Sequence, residues 1–219
     1  GFNGSFVANT GTPDNHGFMA NLNLRSTNFN VFTNIGYNYR NNPGNSFTNS
    51  RYLDDVTNET TSFTNESREN ERIRKGYNAS FGMEWFLDKT LTWTNSVNFR
   101  RNNGGNTTDT YYENFMADCS FRNKVWRYND QDNTDNNVQF SSSVIKKFNE
   151  DGHELKVDAS VSKNLDDESA IINNTTLAGA STSPDTFERT LNNEDQDRAL
   201  LQADYVLPIG KNNRFEAGY

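Results

Sequence analysis

Lys75–Arg101, KGYNASFGMEWFLDKTLTWTNSVNFRR, decides the fold. Tyr77, Ala79, Phe81, Met83 and Trp85 alternate with Asn78, Ser80, Gly82 and Glu84. After Leu87-Asp88-Lys89-Thr90 the alternation resumes. Leu91, Trp93, Val97 and Phe99 then stand against Thr92, Thr94, Ser96, Asn98 and Arg100. Period two is the signature of a strand, because successive side chains point to opposite faces of the pleat. Each run is about ten residues, the length a tilted strand needs to cross a bilayer.

Composition narrows the setting of this hairpin. The chain has 219 residues, of which 32% are hydrophobic and 13% aromatic, and its mean hydropathy is -0.94. Low hydrophobicity alone suggests disorder, but disordered chains are poor in aromatics. A transmembrane β-barrel reconciles the two values. Its lipid-facing side needs apolar residues only at alternate positions, while lumen and loops are polar. The net charge of -8 argues against nucleic acid as a partner. The one cysteine, Cys119, excludes an internal disulfide framework and reads as an incidental thiol.

The pattern recurs along the chain. Phe2, Phe6 and Ala8 mark a weak first run, and Gly11–His16 is a turn by composition. Phe18, Ala20, Leu22 and Leu24 precede a tight connection at Ser26–Asn28. Phe29, Val31, Thr33, Ile35, Tyr37 and Tyr39 follow, with Phe32 the exception on the polar side. Val138, Phe140 and Val144 lead to a turn over Asn149–Gly152, whose Asp-Gly pair is a strong hairpin signal. Leu155, Val157, Ala159 and Val161 form the next run. Ala199, Leu201, Ala203, Tyr205 and Leu207 precede a turn at Pro208–Asn213, and Phe215, Ala217 and Tyr219 begin a last strand.

Between these runs the sequence predicts long polar loops over 41–74 and 165–196, the first with part of its length in strand. Asn102–Asn106 reads as a Gly/Asn loop, 107–137 has no sustained period, and Asp130–Asn137 reads as a loop. Short turns near Thr27, Asp88, Asp151 and Gly210 would then share one rim. The long loops would share the other, as in outer-membrane barrels with periplasmic turns and extracellular loops. The expected architecture is all-β, an antiparallel up-and-down meander of about nine strands forming part of a transmembrane β-barrel. Soluble β-sandwiches and adhesin domains share the alternation but need only shorter strands.

Leu22, Val31, Phe81, Trp93, Val157 and Leu201 are expected to face lipid, with Asn23, Asn38, Ser80, Asn98, Ser160 and Gln202 on the lumen side. Trp85, Trp93 and Tyr205 fit an interfacial girdle beside the short turns better than a sugar platform. Tyr111, Tyr112, Phe115 and Trp126 are candidates for ligand contact, since a long outer loop is where recognition residues gather. His16 and His153 read as solvated turn residues. Asp130-Gln-Asp132-Asn-Thr-Asp135 has the opening spacing of a calcium loop. It lacks the sixth-position Gly, and Ser141 stands where the twelfth-position Glu belongs. The Asn-x-Ser/Thr sequons reflect composition. With no nucleophile, metal or phosphate motif, no catalysis, cofactor or metal is expected.

Three stretches carry a family resemblance: RKGYNASFGMEWFLDKTLTWTNSVNFRRNNG, HELKVDASVSKN and DYVLPIGKNNRFEAGY. They resemble the barrel of Bacteroidota TonB-dependent receptor-like proteins, the outer membrane protein β-barrel family. The Leu-Pro turn followed by a Phe-Glu-Ala-Gly-Tyr strand is typical of it. The resemblance implies a barrel of about 22 strands, a plug domain, uptake energised by TonB, and a bacterial outer-membrane location. On this reading residues 1–219 are a fragment of the barrel domain, without plug or signal peptide. Its partners are outer-membrane lipid, the rest of its own barrel, a plug, and TonB through a segment elsewhere. Import of a large nutrient or chelate is the implied function. A non-transporting adhesin or structural barrel and a passive porin are the alternatives.

Overall fold

The computed structural model describes residues 1–149, 151–180, 184–210 and 213–219. They form one sheet of nine antiparallel strands in strict sequence order. The strands are β1 (Phe2–Gly11), β2 (Asn15–Arg25), β3 (Phe29–Leu53), β4 (Thr60–Asp88), β5 (Leu91–Met116), β6 (Phe121–Lys147), β7 (Glu154–Gly179), β8 (Thr186–Ile209) and β9 (Asn213–Gly218). The up-and-down meander expected from the alternating runs is therefore the observed fold.

The register gathers the alternating apolar residues onto one face. One row of directly opposed residues runs Leu22, Thr33, Phe81, Val97, Phe140, Val161 and Ala199 across seven strands. A parallel row runs Phe29, Trp85, Trp93, Val144, Val157 and Ala203. A one-residue slip in any pair would turn that strand's apolar set to the other face. Six consecutive pairings hold it instead.

No hydrophobic core lies behind this face. Ala20 is the only buried apolar residue among those described. The accessible surface is 14972 Å², against about 10,000 Å² for a folded soluble chain of this mass. Phe81 is 55% exposed, Val161 55% and Leu201 67%. A contiguous apolar face of this extent is not sustained in water by a monomeric protein. In hydrocarbon it is matched to its solvent, while the antiparallel ladder satisfies the backbone N–H and C=O groups.

The predicted long loops are not loops. β3 and β4 run on together to Leu53 and from Thr60, so only Asp54–Glu59 connects them. Asn102–Asn106 lies within β5, and Asp130–Asn137 lies within β6. Ala117–Ser120 alone joins those strands. Leu165–Gly179 belongs to β7 and Thr186–Gln196 to β8. Connections are thus short at both rims, and the expected difference in loop length is absent. The asymmetry lies in the ladder itself: β5 continues from Phe99 to Met116 beyond the apolar run, about 55 Å along the strand. There both faces are polar, so the hydrophobic alternation that reveals a strand is absent although the pairing continues.

Side-chain rungs hold this polar extension. Thr64 donates to Asn114 at 2.7 Å, and Asn114 to Asn123 at 2.8 Å. Asn133 donates to Asp166 at 2.9 Å, and Gln131 pairs with Glu168. Cross-strand polar pairs of this kind stabilise a sheet by a few tenths of a kcal/mol to about 1 kcal/mol each. The predicted turns at 149–152 and 208–213 lie partly outside the described residues. At the first, Gly152 has φ +92°, and the Asn149 side chain accepts from the N–H groups of Asp151 at 3.1 Å and His153 at 3.0 Å.

Candidate functional site: the two faces of the sheet

The apolar face is bounded by aromatic residues at both ends. At the short-turn end Trp85 and Trp93 stack with ring centroids 5.1 Å apart. They are direct cross-strand partners, one on each side of the Asp88 turn. At the other end Tyr37 and Tyr77 meet at 5.0 Å, and Lys75 lies 5.9 Å from the ring centre of Tyr39. Tyr77 and Trp85 are eight positions apart on β4, about 26 Å along the strand. At the tilt of such strands, roughly 40°, that spans about 20 Å of depth, close to the apolar band between two aromatic girdles. The second girdle was not assigned from sequence, because tyrosines beside Asn and Arg do not stand out in an alternating run.

Two polar side chains on this face are satisfied within the sheet, whereas the Asn95 side-chain N–H group is buried there without a partner. The Thr33 hydroxyl donates to the Ser80 carbonyl at 2.7 Å, and the Trp93 indole N–H donates to the Ser142 hydroxyl at 2.9 Å. Each pairing removes a group that would be costly to bury unpartnered in lipid.

Leu22, Val31, Phe81, Trp85, Trp93, Val157, Leu201 and Tyr205 all fall on this apolar face by register. Tyr205 does more than line the rim. Its hydroxyl bonds His153 Nε2 at 2.8 Å, and the His153 ring lies tilted against Phe148 with centroids 4.5 Å apart. His153 is therefore half-buried in an aromatic cluster, not a solvated turn residue. His16 is exposed, bonded to the Thr10 hydroxyl at 2.9 Å.

The four ligand candidates lie on strands, not on an irregular loop; Tyr111 and Trp126 are direct cross-strand partners, but the four do not form one cluster. Tyr111, Phe115 and Trp126 share the face that is apolar lower down, where each has a local partner. Lys124 lies 5.6 Å from the ring centre of Tyr111, and Phe115 meets Phe121 edge-on at 6.1 Å. The Trp126 indole donates to Asp109 at 2.7 Å. Tyr112 alone points to the opposite face. Strand geometry likewise separates the acidic cluster of β6. Asp130 and Asp132 lie on one face and Asp135 on the other.

That opposite face is mostly polar, with Met19, Phe32, Ile145, Leu200 and Val206 among its scattered exceptions. Asn78 donates to Asn34 at 2.6 Å, Asn34 pairs with Asn21, and Asn21 donates to Ser5 at 3.2 Å, linking four strands. Phe32, the sequence exception, points to this side and its ring lies over Gly82. An aromatic covering a strand glycine shields backbone that has no side chain of its own.

An antiparallel meander with one apolar, girdled face and one polar face is the wall of a transmembrane β-barrel, seen here over nine strands. The end of β6 through β9, residues 146–219, matches the family model described as the outer membrane protein beta-barrel family. No curated protein matches the chain. Fold and family match together place the chain in the bacterial outer membrane.

Proposed function

We propose that the chain is part of the barrel of a TonB-dependent receptor that imports a large nutrient or chelate. The observation that supports this most is an open sheet. The order runs β1 to β9, and β1 and β9 pair with one neighbour each. Eight strands suffice for a barrel whose interior is filled by side chains. Nine strands that have not closed belong to a wider barrel, and their polar inner face suits a wet lumen or a plug domain. The rest of the barrel and the plug are then required partners. TonB engages through a segment outside these residues. In this reading the rim of the Asp88 turn is periplasmic and the long polar ladder is extracellular.

The test is the coding sequence upstream of Gly1, followed by capture of the full-length protein by the periplasmic domain of TonB. A compact plug domain and TonB capture are expected. The absence of both would overturn the transporter reading. It would favour a non-transporting adhesin or structural barrel, a reading that the tall ladder above the apolar band also supports.

A further inference from the structure

The two faces of the polar ladder differ in charge. Arg40 on β3, Arg68, Arg72 and Arg74 on β4, Arg100 on β5 and Arg127 on β6 all point to the inner face. On the same face of these strands beyond Tyr77 only Glu66 and Asp135 are acidic, and Glu84 joins them nearer the Asp88 turn. Glu69, Glu71, Asp109, Glu113, Asp130 and Asp132 point the other way. Over β3–β6 the inner wall is thus arginine-rich, while β7 and β8 carry Asp166, Glu168, Glu188 and Glu194 on the same face.

Part of that wall is a recess of about 410 Å³, within the usual range of small-molecule sites. Arg68, Arg72 and Arg127 line it with Tyr112, Asn106 and Asn129, and no carboxylate does. Arg68 and Arg127 stand at either side of Thr110, which is only 3% exposed. Arg68 is bonded to Glu66 at 2.8 Å, whereas Arg72 and Arg127 make no ion pair among the described residues. Close by, Arg40 and Arg74 are direct cross-strand partners, a like-charge pair that is unfavourable without an anion between them. The side-chain oxygens of Asn106 and Asn129 are buried without a hydrogen-bond partner.

We infer that this recess binds an acidic oligosaccharide. The Arg72 and Arg127 guanidinium groups supply paired donors for a sugar carboxylate. Asn106 and Asn129 line the recess as polar neighbours for sugar hydroxyls, and Tyr112 offers a ring face to the pyranose. The inference rests on the transporter reading for the fate of the ligand, but not for its binding. Loss of TonB capture would leave binding intact, and loss of binding would leave TonB capture intact.

Calorimetry on the full-length protein in detergent tests it, with trigalacturonate, its methyl ester and inorganic phosphate as probes. Trigalacturonate is expected to bind, with affinity falling as salt rises. The ester and the Arg72→Gln/Arg127→Gln variant should each weaken binding about tenfold or more, a shift of about 1.4 kcal/mol. Arg101→Gln, on the outer face, should leave binding unchanged, and retained heat-modifiable migration shows that each variant is folded. Equal binding of acid and ester, equal loss in Arg101→Gln, or no binding of trigalacturonate overturns the site. Phosphate binding as tightly as trigalacturonate overturns its assignment to a saccharide.

Discussion

The Phe32 ring occupies the space that a side chain at Gly82 would fill. The two residues are cross-strand partners on the polar face, so the ring covers bare backbone that would otherwise meet water. Gly82→Ala sets a methyl group against that ring and should destabilise the barrel by about 1–3 kcal/mol. In a Phe32→Ala background the penalty of Gly82→Ala should largely vanish. Urea unfolding in lipid vesicles reads both. Equal penalties in the two backgrounds would show that the ring and the glycine are not coupled.

Neighbouring positions on β4 test the assignment of faces. Phe81 is opposed by Thr33 and Val97 on the apolar side, and Ser80 by Asn34 and Asn98 on the polar side. Phe81→Arg should cost about 2–4 kcal/mol in a bilayer, the price of a cation at mid-depth. Ser80→Arg should fold with nearly wild-type yield. Similar losses for both variants would refute the two-faced wall.

Turns beyond the polar ladder respond to acid. The Asp54 carboxylate accepts from the N–H of Thr57 at 2.8 Å, the N–H of Val56 at 2.9 Å and the Thr57 hydroxyl at 3.2 Å. Asp118 accepts from the Ser120 hydroxyl at 2.6 Å and the Ser120 N–H at 3.0 Å. These bonds favour the charged form and hold both carboxyls below their ordinary value of 3.8. The folded turns therefore bind fewer protons than the unfolded chain. Their stabilisation is present above 3.8 and is lost as pH falls through the lower folded values. Hydrogen exchange should show protection at Val56, Thr57 and Ser120 declining in that acid range, while the β4–β5 ladder stays protected. Protection at those amides that does not change with acid would remove the carboxylates from this role.

Cys119 reports orientation. It is exposed, sits in the β5–β6 connection and is the only cysteine of the chain. With the ladder extracellular, a membrane-impermeant maleimide should label it on intact cells. Labelling only after outer-membrane permeabilisation would invert the proposed orientation. Because Cys119 holds φ +65°, Cys119→Gly relieves left-handed strain and provides an unlabelled control that folds.

The sequence disclosed those parts of the fold where the two faces meet different solvents. Phe81 against Ser80 and Leu201 against Gln202 alternate because lipid lies on one side and water on the other. Above Tyr77 water lies on both sides, and Asn102–Asn106 then looks like a loop although it is paired on both edges. The signal there is charge and not hydropathy. Within 68–74, Arg68, Arg72 and Arg74 alternate with Glu69 and Glu71, which sorts cations and anions onto opposite faces. Tyr111 and Tyr112, adjacent in sequence, point to opposite sides for the same reason, so grouping them as one binding surface treated a strand as a loop. The partnering of His153 with Tyr205 was illegible, since 52 residues separate them and only the β7–β8 register brings them together.

The continuous ladder above the membrane also governs how the molecule endures proteolysis. Arg68, Arg72, Arg74, Arg100 and Arg101 would be cleavage sites for trypsin-like enzymes in a mobile loop. Here each lies on a strand paired on both sides. A protease needs a stretch of chain released from such pairing, so cleavage waits on local opening. The short connections Asp54–Glu59 and Ala117–Ser120 contain neither lysine nor arginine. Over β4 and β5 the projecting ladder is thus armoured by its own backbone, and these two turns offer such enzymes no residue to cut.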